Sequence, residues 1–262
     1  MSNEKKQSFI GGVTVLAIST ILVKLCGALY KIPLNNILGD EGVTHFMSAY
    51  NIYAFLLTLS TAGLPLALSK LVSEADSMGR TNQVRRCFRA AMGLFVAIGA
   101  VGTAAMLLCT EQLAAWMNNS MAYWPIKALG VSVLCVSIMC AYRGYAQGRR
   151  NMVPTAVSQL IESFFKLLVG LHLAWYLIRA GYSLEIGAAG AILGVSAGIV
   201  LAMVYMVVNY LRHRSQLPAG GDIPQSYGAV FKRLLWLGIP ITIGQAGMTS
   251  PSGMCTFSTN TS

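Results

Sequence analysis

The sequence predicts an all-α, polytopic membrane protein with six full crossings and a shortened seventh. Three observations predict it. Only 11% of the 262 residues are charged while 55% are hydrophobic, with a mean hydropathy of +0.60, whereas soluble domains carry about a quarter charged residues. Apolar runs recur at about the 20-residue length that a helix needs to cross about 30 Å of hydrocarbon. Basic residues fall in the gaps between those runs, and mostly in alternate gaps, as loop charges do on the two sides of a membrane. A net charge of +10 could signal nucleic acid, but charge spread between apolar runs makes no single basic face. Nucleic acid is therefore not an expected partner.

The first run, 9–34, is longer than the apolar core of a signal peptide and lacks an Ala-x-Ala cleavage site, so it stays in the mature chain. Lys24 lies near its middle, where an unpaired charge costs at least about 2.5–3.5 kcal/mol. Lys31 follows two turns later on the same face. Both ammonium groups can point into one polar cavity; for Lys31, snorkelling to the outer interface stays open as well. The second run, 46–69, begins with polar groups at Tyr50, Asn51 and Tyr53 and contains Pro65, which removes a backbone hydrogen bond and bends the helix. Transporters use such breaks beside substrate sites, so Pro65, like Pro240 further on, is a candidate gating position, and Tyr50 and Asn51 are candidate substrate-binding residues.

Runs three and four, 90–109 and 125–142, are apolar apart from Lys127 at the start of the fourth. The fifth, 154–178, carries Gln159, Glu162 and Lys166 at spacings of three and four, hence on one helical face. Glu before Lys at that spacing is the favourable order for a pair. Either a structural ion pair or a polar network on a transport path follows. His172, alone on an apolar stretch, reads as a satisfied buried histidine. The sixth run, 187–211, places Gly190, Gly194 and Gly198 on one stripe, which lets helix backbones approach closely.

A seventh run starts near Leu234 and fades after Met248, about 15 residues or roughly 22 Å of helix. Its Gly-Ile-Pro240 echoes the Gly-Leu-Pro65 of the second run, as a duplicated architecture would. The expected organisation is a six-helix lobe over 1–215, then a loop and the truncated start of a second lobe over 216–262. Fourteen Lys and Arg residues fall on the N-terminal side and three (Lys31, Lys127, Arg179) on the other, which puts the N-terminus in the cytoplasm. The six cysteines show neither Cys-x-x-Cys nor Cys/His spacing, and no phosphate-binding loop or nucleophile motif is present. The reading is a protein without cofactor or metal and not an enzyme.

Three stretches carry a family resemblance. Lys24-Leu-Cys-Gly-Ala-Leu-Tyr-Lys31-Ile-Pro and Ala62-Gly-Leu-Pro-Leu-Ala-Leu-Ser-Lys70 are two of them. The most specific is Arg143-Gly-Tyr-Ala-Gln-Gly, continued by Pro154-Thr-Ala-Val-Ser-Gln159-Leu-Ile-Glu162. Together, over about residues 8–248, the sequence resembles the polysaccharide biosynthesis/export family, in its stage V sporulation protein B and MurJ-like branch. The resemblance implies the multidrug/oligosaccharidyl-lipid/polysaccharide flippase fold, two six-helix lobes around a central cavity, of which this chain is the first lobe and the opening of the second. It implies translocation of undecaprenyl-pyrophosphate-linked oligosaccharide, lipid II or another cell-envelope precursor, across the bacterial cytoplasmic membrane by alternating access. Coupling would be to Na⁺, H⁺ or the membrane potential, and the pyrophosphate would meet Lys24 and Lys31. The branch often has an arginine on its second helix, where this chain reads Tyr50-Asn-Ile-Tyr-Ala-Phe. Two other classes stay open: a cation-coupled multidrug antiporter of the same superfamily, and a non-transporting membrane scaffold.

Overall fold

A computed structural model describes residues 3–61, 63–214 and 220–248, and these residues form helices joined by short turns. They are α1 (Asn3–Thr61), α2 (Leu64–Ser77), α3 (Thr81–Leu108), α4 (Thr110–Trp116), α5 (Tyr123–Gly148), α6 (Val153–Phe165), α7 (Leu171–Arg179), α8 (Leu184–His213) and α9 (Tyr227–Met248). A π turn (Lys166–Gly170) joins α6 to α7. Five segments are long and apolar enough to cross a membrane: Thr14–Ala54, Thr81–Leu108, Tyr123–Gly148, Val153–Arg179 and Leu184–His213. The chain is a multi-pass, all-α membrane protein.

The first of these segments has 41 residues, about 61 Å of helix and so about twice a crossing. Gly39 divides it, at φ 65° and ψ −179°, a conformation open essentially to glycine alone. On one straight helix Tyr30 and Phe46 would stand about 24 Å apart, yet their rings are 6.0 Å apart. The chain therefore doubles back at Gly39, and the first two expected runs become two arms of one hairpin.

The second expected run, 46–69, is not a single bent helix. The backbone leaves the helix around Gly63, and Pro65 sits in the first turn of α2, where its missing N–H and fixed φ suit a helix start. Proline here opens a new helix instead of bending an old one. The third run starts earlier than expected, at Thr81, because its basic first turns continue the helix beyond the apolar stretch.

α5 is the spine, packed between α3 on one side and α8 on the other. Two clusters of buried apolar side chains flank it, one around Leu34, Leu129 and Ile199, the other around Leu68, Phe95 and Leu234. Lipid tails are as apolar as leucine, so close van der Waals fit holds such helices together. The stripe on α8 shows that fit. A Cβ on Gly198 would lie 2.6 Å from the Glu162 carbonyl oxygen, and one on Gly194 would collide with the Gly170 backbone.

The polar ties gather at two ends. At one, Arg149 meets Asp76 at 3.2 Å and Arg233 meets Glu74 at 2.8 Å. At the other, His45 Nδ1 donates to Asn119 Oδ1 at 2.9 Å, and Asn119 Nδ2 donates to Ser48 Oγ at 3.1 Å. Lys127 and Arg179 lie over the rings of Trp124 and Trp175 at that second end, as aromatic and basic anchors do at a membrane interface.

Candidate functional site

The outer surface of α1's first arm is of two kinds. Ile18, Leu22, Leu25 and Leu29 are exposed along one stripe, a face suited to lipid. About a third of a turn away runs a second exposed stripe of small and polar residues: Thr20, Lys24, Ala28, Lys31 and Asn35. Their spacings of three and four bring them onto one face. Lys24 and Lys31 thus share an exposed face with only the methyl group of Ala28 between them on that line. Asn51, on the second arm, is exposed too.

Inside the lobe a separate polar knot joins α5, α6 and the hairpin. Arg143 of α5 donates through Nη2 to Glu162 Oε2 at 3.1 Å and through Nε to Ser158 Oγ at 2.9 Å. Ser158 passes the chain on to the Thr155 carbonyl at 2.7 Å. Both charged partners are largely shielded, so the pair is charge-assisted in a low-dielectric setting. The expected partner of Glu162 was Lys166. Its ion pair is instead to Arg143, while the Lys166 side chain turns to the aromatic rings of the hairpin. Lys166 Nζ lies over the rings of Tyr30 at 5.0 Å and Tyr50 at 4.9 Å, a cation–π seat. Tyr50 also stacks on Phe46 at 5.9 Å and meets Tyr53 at 6.0 Å. Gln159, on the same face, keeps a buried Oε1 that accepts no hydrogen bond from the protein.

A third feature joins α2 to α9. The Gly63 amide donates to Thr242 Oγ1 at 3.1 Å, and a Cβ on Gly63 would collide with the Gly238 carbonyl oxygen. The two Gly-x-Pro segments, with Pro65 and Pro240, therefore meet at a crossing that tolerates only glycine. Below it the segment before α9 is docked. Asp222 accepts the amides of Asn82 and Gln83 through its two carboxylate oxygens, each at 2.9 Å, capping the start of α3. Desolvation pushes the Asp222 carboxyl up, but the amides of Asn82, Gln83 and Asp222 itself, with the charge of Arg80, hold it below the usual carboxylate range. Gln83 Oε1 accepts the Gln225 amide at 2.7 Å, and Arg86 lies 4.2 Å from the centre of the Tyr227 ring.

The structure thus brings Tyr50, Gln159, Glu162 and Lys166 together, leaves Lys24, Lys31 and Asn51 exposed apart from them, and pairs Pro65 with Pro240. His172 is not buried; it is exposed beside Trp175 on α7, ring centres 6.1 Å apart. Arg143 and Asp222 were missed as site residues. By sequence Arg143 falls among the fourteen basic residues of the N-terminal side because it ends the apolar run, yet helix α5 carries it five residues short of its own end.

Comparison with known proteins places this architecture. The pattern of the polysaccharide biosynthesis protein family matches residues 9–249. Stage V sporulation protein B of Bacillus subtilis (strain 168) is 29% identical over 206 residues, covering 78% of this chain and 39% of that protein. Lipid II flippase MurJ of the same organism is 28% identical over 208 residues, covering 74% of this chain and 38% of MurJ. The chain therefore spans about two-fifths of the length of these relatives. Among solved structures, a MATE protein in its straight conformation superposes with a TM-score of 0.76 at 14% identity, covering 93% of this chain and 54% of that one. A MOP-superfamily transporter from Pyrococcus furiosus gives 0.72 at 14% identity, covering 91% and 53%; at such identity the likeness is one of fold. With the family pattern running through nearly all of the described helices, the chain belongs to the polysaccharide biosynthesis protein family.

Proposed function

We propose that this chain is the N-terminal lobe of a flippase that carries an undecaprenyl-pyrophosphate-linked oligosaccharide, such as lipid II, across the bacterial cytoplasmic membrane by alternating access. The observation that carries the reading is the exposed polar stripe of α1, with Lys24 at mid-helix and Lys31 beside it. A lysine facing lipid at that depth costs several kcal/mol; one facing a water-filled cavity between two lobes does not. An anionic pyrophosphate leaving water would find two ammonium groups there, while its lipid tail stays in the bilayer. The crossing of α2 and α9 then serves as a gate: α2 starts at Pro65, and Pro240 removes a backbone hydrogen bond inside α9, so both helices can give where they meet. Membrane potential or a Na⁺ or H⁺ gradient would drive the cycle. The N-terminus is assigned to the cytoplasm from the clustering of basic residues at one end.

A cation-coupled drug antiporter would call for a carboxylate open to its ion. Glu162 is held by Arg143 instead, and Lys24 and Lys31 would repel a cationic drug. The relation to lipid II flippase MurJ points the same way.

The test is flipping of a fluorescent lipid-linked sugar pyrophosphate in liposomes by the complete protein carrying Lys24→Gln. We expect transport to fall to background with normal folding, and Lys24→Arg to retain most of it. Full activity of Lys24→Gln would refute the assignment. For orientation, a cysteine at exposed Ser77 is expected to resist an impermeant thiol reagent applied to intact cells.

A further inference from the structure

At the basic end of the bundle, α5, the start of α6 and the end of α8 surround a partly open cavity of about 270 Å³. One wall is aromatic: Tyr142, Tyr145 and Tyr210 stand with ring centres 5.3 Å apart where they meet, and all three pack on Phe88 at 4.7–5.3 Å. Phe88 and Tyr210 each touch the other three rings, which holds that wall together. The charged lining comes from Arg149 and Arg214, with the His213 ring beside them. Asp76 answers the charge of Arg149. Arg214 adds its own, and Arg89 also lies within electrostatic reach of the Tyr210 hydroxyl, so the cavity is positive.

We propose that this cavity binds the phosphate of an anionic phospholipid head group. Three properties select that chemistry. The cavity lies at the ends of α5 and α8, where crossing helices leave the hydrocarbon and meet head groups. Basic pockets between helices at that depth attract anionic lipids. Its volume suits a phosphate with a glycerol, and is below the range of sites that enclose drug-sized ligands. Tyrosine hydroxyls and guanidinium groups both donate to phosphate oxygens, and the guanidinium fork can do so twice. This site is separate from the α1 stripe, and it needs only that this end of the bundle lies at a head-group layer, whichever leaflet that is. A lipid held there would tie α5, α6 and α8 to the bilayer beside the docked segment before α9.

The test uses the full chain in mixed nanodiscs, with retained lipid counted by native mass spectrometry. The probes are phosphatidylglycerol, phosphatidylcholine and inorganic phosphate. We expect phosphatidylglycerol to be retained over phosphatidylcholine, and millimolar phosphate to displace little of it. Arg214→Gln should weaken retention about fivefold, and Arg149→Gln with Arg214→Gln about thirtyfold. Lys127→Gln at the opposite end should change nothing. Arg149 is paired, so its loss can disturb folding; Arg214 is exposed at the helix end and decides the matter alone. Equal retention of the two lipids, or unchanged retention in Arg214→Gln, would overturn the proposal. So would displacement by phosphate, which would make the ligand a free anion.

Discussion

The first arm of α1 and the helix α5 are alike in length and apolar character, yet they live in different surroundings. In the window of each that qualifies it to cross a membrane, 56% of α5 is buried and only 11% of the α1 segment. α5 is enclosed by glycine contacts: Gly99 of α3 rests on its Ser137, Gly102 on its Val133, and its own Gly144 rests on Pro65 of α2. α1 meets the lobe along one face, through Tyr30, Leu34 and Leu38. Hydropathy reports that a helix is in the membrane; it does not report which face lipid touches. On α5 the small residues mark close helix contact. On α1 the small residues alternate with lysine, which close packing does not call for.

That contrast can be broken in order of size. Gly194→Ala puts a methyl group into the Gly170 backbone, and overpacking of this kind should cost about 3 kcal/mol, seen as a fall in the thermal unfolding midpoint in detergent. Gly27→Ala, on α1 with nothing within 4 Å of the added Cβ, should stay within about 1 kcal/mol of the parent. A large loss from the second and not the first would reverse the assignment of packed and open helices.

Next comes the polar knot. Glu162→Gln leaves the Arg143 guanidinium shielded without its counter-charge and should cost about 2 kcal/mol. A double-mutant cycle should then find coupling of about 1 kcal/mol or more between Glu162 and Arg143, and less between Glu162 and Lys166. The opposite ranking would restore the pair expected from spacing alone. The smallest effect is at Asp222. Its carboxyl sits below the ordinary value of about 3.9, so the clamp on α3 is at full strength above pH about 4 and is lost as pH falls through the lower, folded value. Protection of the Asn82 and Gln83 amides from hydrogen exchange, taken relative to their intrinsic rates, should fall only in that acid window, and Asp222→Asn should show the lowered protection already at neutral pH.

Much of this was legible in the sequence, and for identifiable reasons. Long apolar runs fix crossings because lipid leaves the backbone no other partner than itself. The glycine stripe of α8 and the two Gly-x-Pro segments could be read because glycine and proline act through the backbone alone. The meeting of Gly63 with Thr242 could not be read, since it joins segments far apart in the chain. Glu162 shows the limit most clearly. Periodicity measures neighbours on one helix, so it offered Lys166, whereas the partner stands on α5 and the lysine side chain takes the rings of Tyr30 and Tyr50 instead. The exposed polar stripe was visible in part: Lys24 and Lys31 announced it, but Thr20, Ala28 and Asn35 gained meaning only once their exposure was known.

The stripe is also where the account is most open to direct contradiction. In a version of the complete protein freed of its native cysteines, single cysteines at Thr20, Lys24 and Ala28 can be compared with cysteines at Leu22, Leu25 and Leu29 for reaction with a small, membrane-impermeant thiol reagent. The account predicts that the first three react at rates typical of a water-filled cavity and that the other three, facing lipid, do not. Unreactive cysteines at all three polar-stripe positions, or equal reactivity on both stripes, would contradict it.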